Sequence, residues 1–295
     1  MRKAILAATT AALLAVPASE ALAGRRYEAT ITRTAFGIPH IEARDWRGVG
    51  YGVAYAYAED NLCLLAEEFA TVAGERSLHF GPQATATLGF EQVDNLSSDV
   101  FFRAIIDLPT LREGAKSLTP RVIGLLDGYV AGYNRFLKDA GAEGIPAECR
   151  GKAWVRPITR DDMLRLNEKQ MLLASSLNLA PAIANAAPPG SPAPKVSINM
   201  PKPDELGLGS NGWAFGGDVT ADGRGLLIGN PHFPWKGPSR FWQMHVTGPD
   251  GYDVMGVGLA GTPLPTLGFN KDVAWTHTVT QAKHFTLFQL TLDPA

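Results

Sequence analysis

With 295 residues, 45% of them hydrophobic and 19% charged, the chain is long enough for one large or two ordinary globular domains and apolar enough to bury a core. A formal net charge of -2 and a pI near 6.3 leave no basic footprint for nucleic acid, and no Lys/Arg run marks a membrane surface. Neither partner is expected.

The first residues read MRKAILAATTAALLAVPASEALAG, in which Arg2 and Lys3 precede a short apolar run and Ala21, Leu22 and Ala23 form an A-x-A site. This pattern predicts a secretory signal over residues 1–23, cut after Ala23. An ordinary N-terminal helix fits less well, because the run ends in small residues and a proline. A transmembrane anchor fits worse still, since the run is shorter than the ~20 residues that span a bilayer. Export to an oxidising, periplasmic or extracellular compartment makes a Cys63–Cys149 disulfide the expected state of the two cysteines, with two buried free thiols as the alternative.

Further along, the alternation YEATITRTAFGIPHI over 27–41 predicts strands and a turn. Residues 46–74 predict a helix whose Leu62, Leu65, Phe69 and Val72 share one face. Helical patterns also cover about 120–138 and 160–179, and Thr159 with Asp162 supplies a T-x-x-D start signal for the second. In AYAEDN, Glu59 and Asp60 occupy adjacent helix positions that point in different directions, which argues against a catalytic carboxylate pair and for a structural role. Arg33 and His40 are read as architectural in the same way.

A proline-rich stretch, NLAPAIANAAPPGSPAPKVSINMPKPDELGLG, separates this helical part from the remainder of the chain and reads as a linker or excisable spacer, 186–209. Beyond it, WAFGGDV, GLLIGN, FWQMHVTG, YDVMGVGL, AWTHTVT and HFTLFQLTL are short β-rich runs broken by turn residues, so the second part is a sheet built from hairpins. The fold class is therefore α+β. The last run ends at TLDPA with no closing element, which leaves an open sheet edge and suggests a fragment.

At the junction, GLGSNGWAF carries Gly207, Gly209 and Gly212 in the G-x-G-x-x-G spacing. A dinucleotide site needs a strand before these glycines and a helix after them, and neither pattern is present. Ser210 also lacks the G-x-S-x-G elbow. If the chain is cut between Gly209 and Ser210, however, Ser210 carries both a hydroxyl nucleophile and a free α-amine. Such an amine titrates near 7.7 to 8.0 and can accept the hydroxyl proton directly or through water.

SNGWAFGGDVTADGRGLLIGNPHFPW, RFWQMHV, YDVMGVGLAGTP, LGFN and VAWTHTVT resemble the start of the second chain of the penicillin acylase family of N-terminal-nucleophile hydrolases, and RTAFGIPHI and YGVAYAYAEDNLCLLAEEFATVAGERS resemble its first chain. The similarity is greatest to the acyl-homoserine lactone and aculeacin-type acylases. What it implies is an αββα sandwich, partial here, and a precursor cut into a heterodimer, with a first chain over 24–185 and a second from 210 to 295. Ser210 would be the nucleophile, His232 would tune its amine, and the Val279 N–H would be one oxyanion donor. Phe233, Leu259, Leu267 and Thr278 would line an acyl pocket for a small-molecule N-acyl substrate.

The family's second oxyanion donor, an asparagine side chain, would fall beyond Ala295. TQAKHFTL replaces the aspartates of calcium-binding relatives, so neither calcium nor another cofactor is expected. Histidines 232, 245, 277 and 284 form no H-E-x-x-H and read as parts of packed strands, and Phe241-Trp242 reads as core. Two alternatives stay open: a non-catalytic fragment, and an acylase for lipopeptide or penicillin-type substrates.

Overall fold

The structure, a computed structural model, describes residues 27–88, 91–173, 175–188, 191, 209–278, 286, 288, 290 and 291. Strands β1 (Thr30–Arg33) and β2 (Pro39–Glu42) lead into helix α1 (Trp46–Val72). Next come helix α2 (Arg76–Phe80), the hairpin β3 (Thr85–Leu88) and β4 (Glu91–Asp94), and helices α3 (Asn95–Ile105), α4 (Leu108–Ala115), α5 (Pro120–Gly144), α6 (Arg160–Leu172) and α7 (Ala180–Ala184). The second part supplies β5 (Gly209–Phe215), β6 (Leu226–His232), β7 (Trp242–Thr247), β8 (Asp253–Gly258), β9 (Leu267–Phe269) and β10 (Ala274–Trp275).

Asp45 starts α1 by accepting from the Gly48 N–H at 2.7 Å, and the predicted face of Leu62, Leu65, Phe69 and Val72 is buried. Helix α5 lies against α1 so closely that a Cβ on Gly50, Gly128 or Gly132 would run into the backbone of the facing helix. Glycine is required there for approach, not for a turn. Cys63 of α1 and Cys149, beyond α5, form the expected disulfide with Cα atoms 5.6 Å apart.

Six strands form one sheet in the order β1-β2-β7-β8-β9-β10. Ile41, Met244 and Val246 are buried in the same apolar core as Val49 and Val53 of α1. The alternate residues of β2 and β7, His40 and His245 among them, point to the opposite face. The first part thus contributes two strands to the sheet, and the β2–β7 pair is parallel, with His40 beside His245, while every other pair is antiparallel. A purely hairpin-built sheet is corrected in this respect: strands so far apart in sequence can pair in either direction.

Helix bounds also differ from expectation. The α5 helix continues to Gly144, and α6 stops at Leu172 before a separate 3-10 turn at Ser176–Leu179. The expected start signal of α6 is present, with the Asp162 carboxylate accepting from the Thr159 N–H at 2.8 Å and from Arg156 at 2.8 Å. Burial pushes the Asp162 carboxyl up, but the hydrogen bonds from Arg156 and Thr159 outweigh it and hold the group below the ordinary carboxylate range.

Asp162→Asn is therefore expected to cost ~1–3 kcal/mol of stability, read from the urea midpoint at neutral pH. A carboxyl with a lowered folded pKa contributes stability above its unfolded value near 4, and that contribution is lost as pH falls through the folded value. The gap between the two proteins should accordingly shrink below about pH 4.

Adjacent helix positions do not separate Glu59 from Asp60. Both hold the Arg33 guanidinium, at 2.7 and 3.1 Å, because the forked donor reaches two carboxylates where α1 departs from helical geometry at Asn61. Asp60 also accepts from Trp242 Nε1 at 2.8 Å, which ties the kink to β7. The structural reading of these carboxylates stands, and its geometric reason is replaced.

Candidate active site

The proline-rich segment reaches a strand at Gly209, where β5 pairs antiparallel with β6. Gly209 lies opposite His232, Ser210 opposite Pro231 and Gly212 opposite Gly229. The serine therefore opens a regular strand, and the Ser210 hydroxyl donates to the Gly209 carbonyl oxygen at 2.5 Å. It is held against the group it would have to attack.

Strand alternation divides the surroundings of this peptide bond between the hairpin's two faces. On one face, a Cβ on Gly209 would lie 3.2 Å from His232 Nδ1. His232 Nε2 lies 3.2 Å from Asn230 Nδ2. With the Asn230 amide assigned as donor, Nε2 accepts from it and Nδ1 is the ring nitrogen on the Gly209 side. Asn230 is a residue that sequence reasoning missed, although the i, i+2 spacing of N-P-H on a strand places both side chains on one face.

The other face carries Ser210 and Gly212 and meets residues 276–278. A Cβ on Gly212 would stand 3.0 Å from Thr276 Cγ2 and 3.7 Å from Thr278 Cγ2. Trp275 Nε1 and His277 Nε2 both donate to the Thr266 carbonyl, at 2.8 and 2.9 Å, which leaves the alternate side chains, Thr276 and Thr278, to face the hairpin. Val279 and His284 lie outside the described residues.

Of the expected acyl-pocket residues, Phe233 continues β6 and stacks on Phe241, with ring centroids 4.8 Å apart. Leu267 is buried on β9 opposite Val257. Leu259 lines a small cavity of about 30 Å³ together with Leu173, Leu177 and the buried Glu68–Lys169 ion pair, and neither Phe233, Leu267 nor Thr278 lines it. The hairpin therefore turns Ser210 toward the face that meets Thr276 and Thr278 and His232 toward the other face, while Phe233 packs on Phe241 and Leu259 faces the helices.

A larger open cleft of about 520 Å³ is lined by Arg33, Glu59, Asp60, Arg240 and Trp242, among others. His40 Nδ1 meets His245 Nδ1 at 2.8 Å, and His245 Nε2 meets Asp253 at 2.7 Å, a hydrogen bond that holds the Asp253 carboxyl below its ordinary range. Among the described residues, no group of three or more His, Cys, Asp or Glu side chains is placed to hold a metal ion.

An α+β chain with a glycine–serine peptide at the head of a hairpin and a histidine in register beside it defines the class of site. The chain belongs to the penicillin amidase family, whose model matches residues 28–295. It is 45% identical over 274 residues to the acyl-homoserine lactone acylase PvdQ of Pseudomonas fluorescens strain Pf-5, covering 90% of this chain and 35% of that protein. To the aculeacin-A acylase of Actinoplanes utahensis it is 37% identical over 281 residues, covering 91% of this chain and 35% of that one.

The chain thus spans about 35% of the length of these relatives. The thermostable penicillin G acylase from Alcaligenes faecalis matches with a TM-score of 0.41 at 20% identity, over 57% of this chain and 98% of that one.

Proposed function

We propose that the chain is part of an exported, self-processing amide hydrolase that removes a fatty acyl group from N-acyl amides. The observation that carries this reading is the Ser210 hydroxyl seated on the Gly209 carbonyl, in a chain of this family. Ser210 Oγ attacks the Gly209 carbonyl carbon, its proton passes to the departing amide nitrogen, and the C–N bond gives way to an ester. Water then hydrolyses the ester, leaving the Gly209 carboxylate and a Ser210 with a free α-amine.

In the second reaction the same hydroxyl attacks the substrate's acyl carbonyl. The α-amine accepts the hydroxyl proton and returns it to the leaving amine, and water clears the acyl-enzyme. His232, in register with Gly209, is the residue we assign to tune this amine. Its replacement by Gln is expected to slow deacylation by about 100-fold or more, in the range typical of acid–base partners, with the fold retained by circular dichroism.

The parallel β2–β7 pair would hold the two pieces together after the cut, aided by Arg121 on Asp250 and by Gln170 on the Ala260 carbonyl. The Cys63–Cys149 disulfide supports an oxidising compartment, periplasmic or secreted. The substrate reading rests on the relatives' names: an acyl-homoserine lactone first, given the higher identity, and a lipopeptide amine second. An apolar acyl pocket would gain roughly 0.8 kcal/mol per buried methylene. Release of free fatty acid from a series of N-acyl-homoserine lactones of increasing chain length tests the proposal. Hydrolysis that persists unchanged in Ser210→Ala would overturn it.

A further inference from the structure

We infer that Thr276 and the facing glycines Gly212 and Gly229 form a positioning ledge that sets where the Ser210 hydroxyl sits; this rests on the reading of Ser210 as the nucleophile. Gly212 and Gly229 are partners across β5 and β6, two residues along each strand from the Ser210–Pro231 pair. Neither is in a positive-φ conformation, so no turn requires them. What they share is Thr276. A Cβ on Gly229 would lie 3.0 Å from its Oγ1 and 3.1 Å from its Cβ, and a Cβ on Gly212 would lie 3.0 Å from its Cγ2.

Thr276 cannot step aside easily. Its branched side chain is stiff about χ1, so moving Cγ2 or Oγ1 away from the hairpin means leaving its preferred staggered position. Its neighbours Trp275 and His277 are both anchored on the Thr266 carbonyl, which fixes the backbone on either side. An added methyl group on the hairpin must therefore push the hairpin, and the hairpin carries Ser210. The segment that would be misaligned with it runs through Thr278, itself in contact range of Gly212. The glycines of GLGSNGWAF and GLLIGNPH thus read as clearance for a threonine supplied by WTHT.

The test is size complementation in the full chain, read as the rate at which a new N-terminus appears at Ser210. Gly212→Ala is expected to slow conversion by about 10- to 100-fold, since small displacements of reacting groups carry penalties of that order. Thr276→Ser removes the Cγ2 that a new Cβ would meet, so adding it should restore Gly212→Ala to within about threefold of the Thr276→Ser chain itself. Gly225→Ala, at the far end of the hairpin, has only the Phe215 carbonyl at 3.8 Å and should be neutral.

If Gly212→Ala does not unfold cooperatively, Gly229→Ala paired with Thr276→Gly, which removes both the Oγ1 and the Cβ that a new Cβ would meet, asks the same question from the other strand. A Gly212→Ala chain cut as fast as wild type, or a double variant as slow as the single, overturns the ledge. A wild-type chain that is never cut overturns the nucleophile reading and the ledge with it.

Discussion

Ser210→Ala is expected to leave the chain in one piece, and Ser210→Cys to be cut. Both changes preserve the β5 backbone, because Ser210 is paired with Pro231 through its main chain and, among the described residues, its side chain is hydrogen-bonded to the Gly209 carbonyl alone. Alanine removes the attacking oxygen, and no described side chain other than the serine is hydrogen-bonded to that carbonyl. Removing the nucleophile of a hydrolase costs on the order of a million-fold in rate, so conversion should fall below detection over days. Cysteine keeps a nucleophile, and its thiolate is intrinsically the stronger one. Electrophoresis under denaturing conditions reads both outcomes. Cleavage of the alanine variant between 209 and 210 would show that another group performs the attack.

Replacing Cys63 and Cys149 together by alanine is expected to produce the largest loss of stability. The bond joins positions 86 residues apart, enclosing the end of α1, α2 to α5 and the β3–β4 hairpin. Closing a loop of that length restricts the unfolded chain by roughly 4 to 5 kcal/mol in the chain-entropy treatment, a large share of the 5–15 kcal/mol by which domains are stable. Cys149 is fully buried, so its truncation adds a packing loss. The guanidinium midpoint of the oxidised protein against the double variant measures the effect, and equal midpoints would contradict it. Reductant should lower the wild-type midpoint toward that of the variant, stopping short of it by the packing that the retained thiols supply.

Local signals were legible where the chemistry was local. Leu62, Leu65, Phe69 and Val72 announced the buried face of α1, and Thr159 with Asp162 announced the start of α6. Helix α3 was not announced, because Asn95, Ser98 and Asp99 in NLSSDVFFRAI look like loop residues. They are buried in the fold, where Asn95 and Asp99 bind Arg76, an arrangement made by tertiary contact and not by periodicity. The parallel join of β2 to β7 depends on residues 205 positions apart, His40 and His245, and no spacing rule reaches that far.

At the candidate site the same division holds. Gly209, Ser210 and His232 could be singled out from the resemblance, and the β5–β6 register brings them side by side. Asn230 needed the strand assignment before its spacing meant anything. Thr276 needed the packing itself, since only the distance to Gly212 and Gly229 explains why glycine stands at both positions. The nucleotide-like spacing of Gly207, Gly209 and Gly212 is thereby resolved for the two described glycines: Gly209 gives room to His232 and Gly212 to Thr276.

Intact-mass measurement of the purified full chain after incubation at neutral pH bears most directly on the proposed self-cleavage. The expected spectrum holds a fragment beginning at Ser210, with a complementary fragment ending at or before Gly209. A spectrum containing only the uncut chain, or fragments whose boundary lies elsewhere, would contradict it.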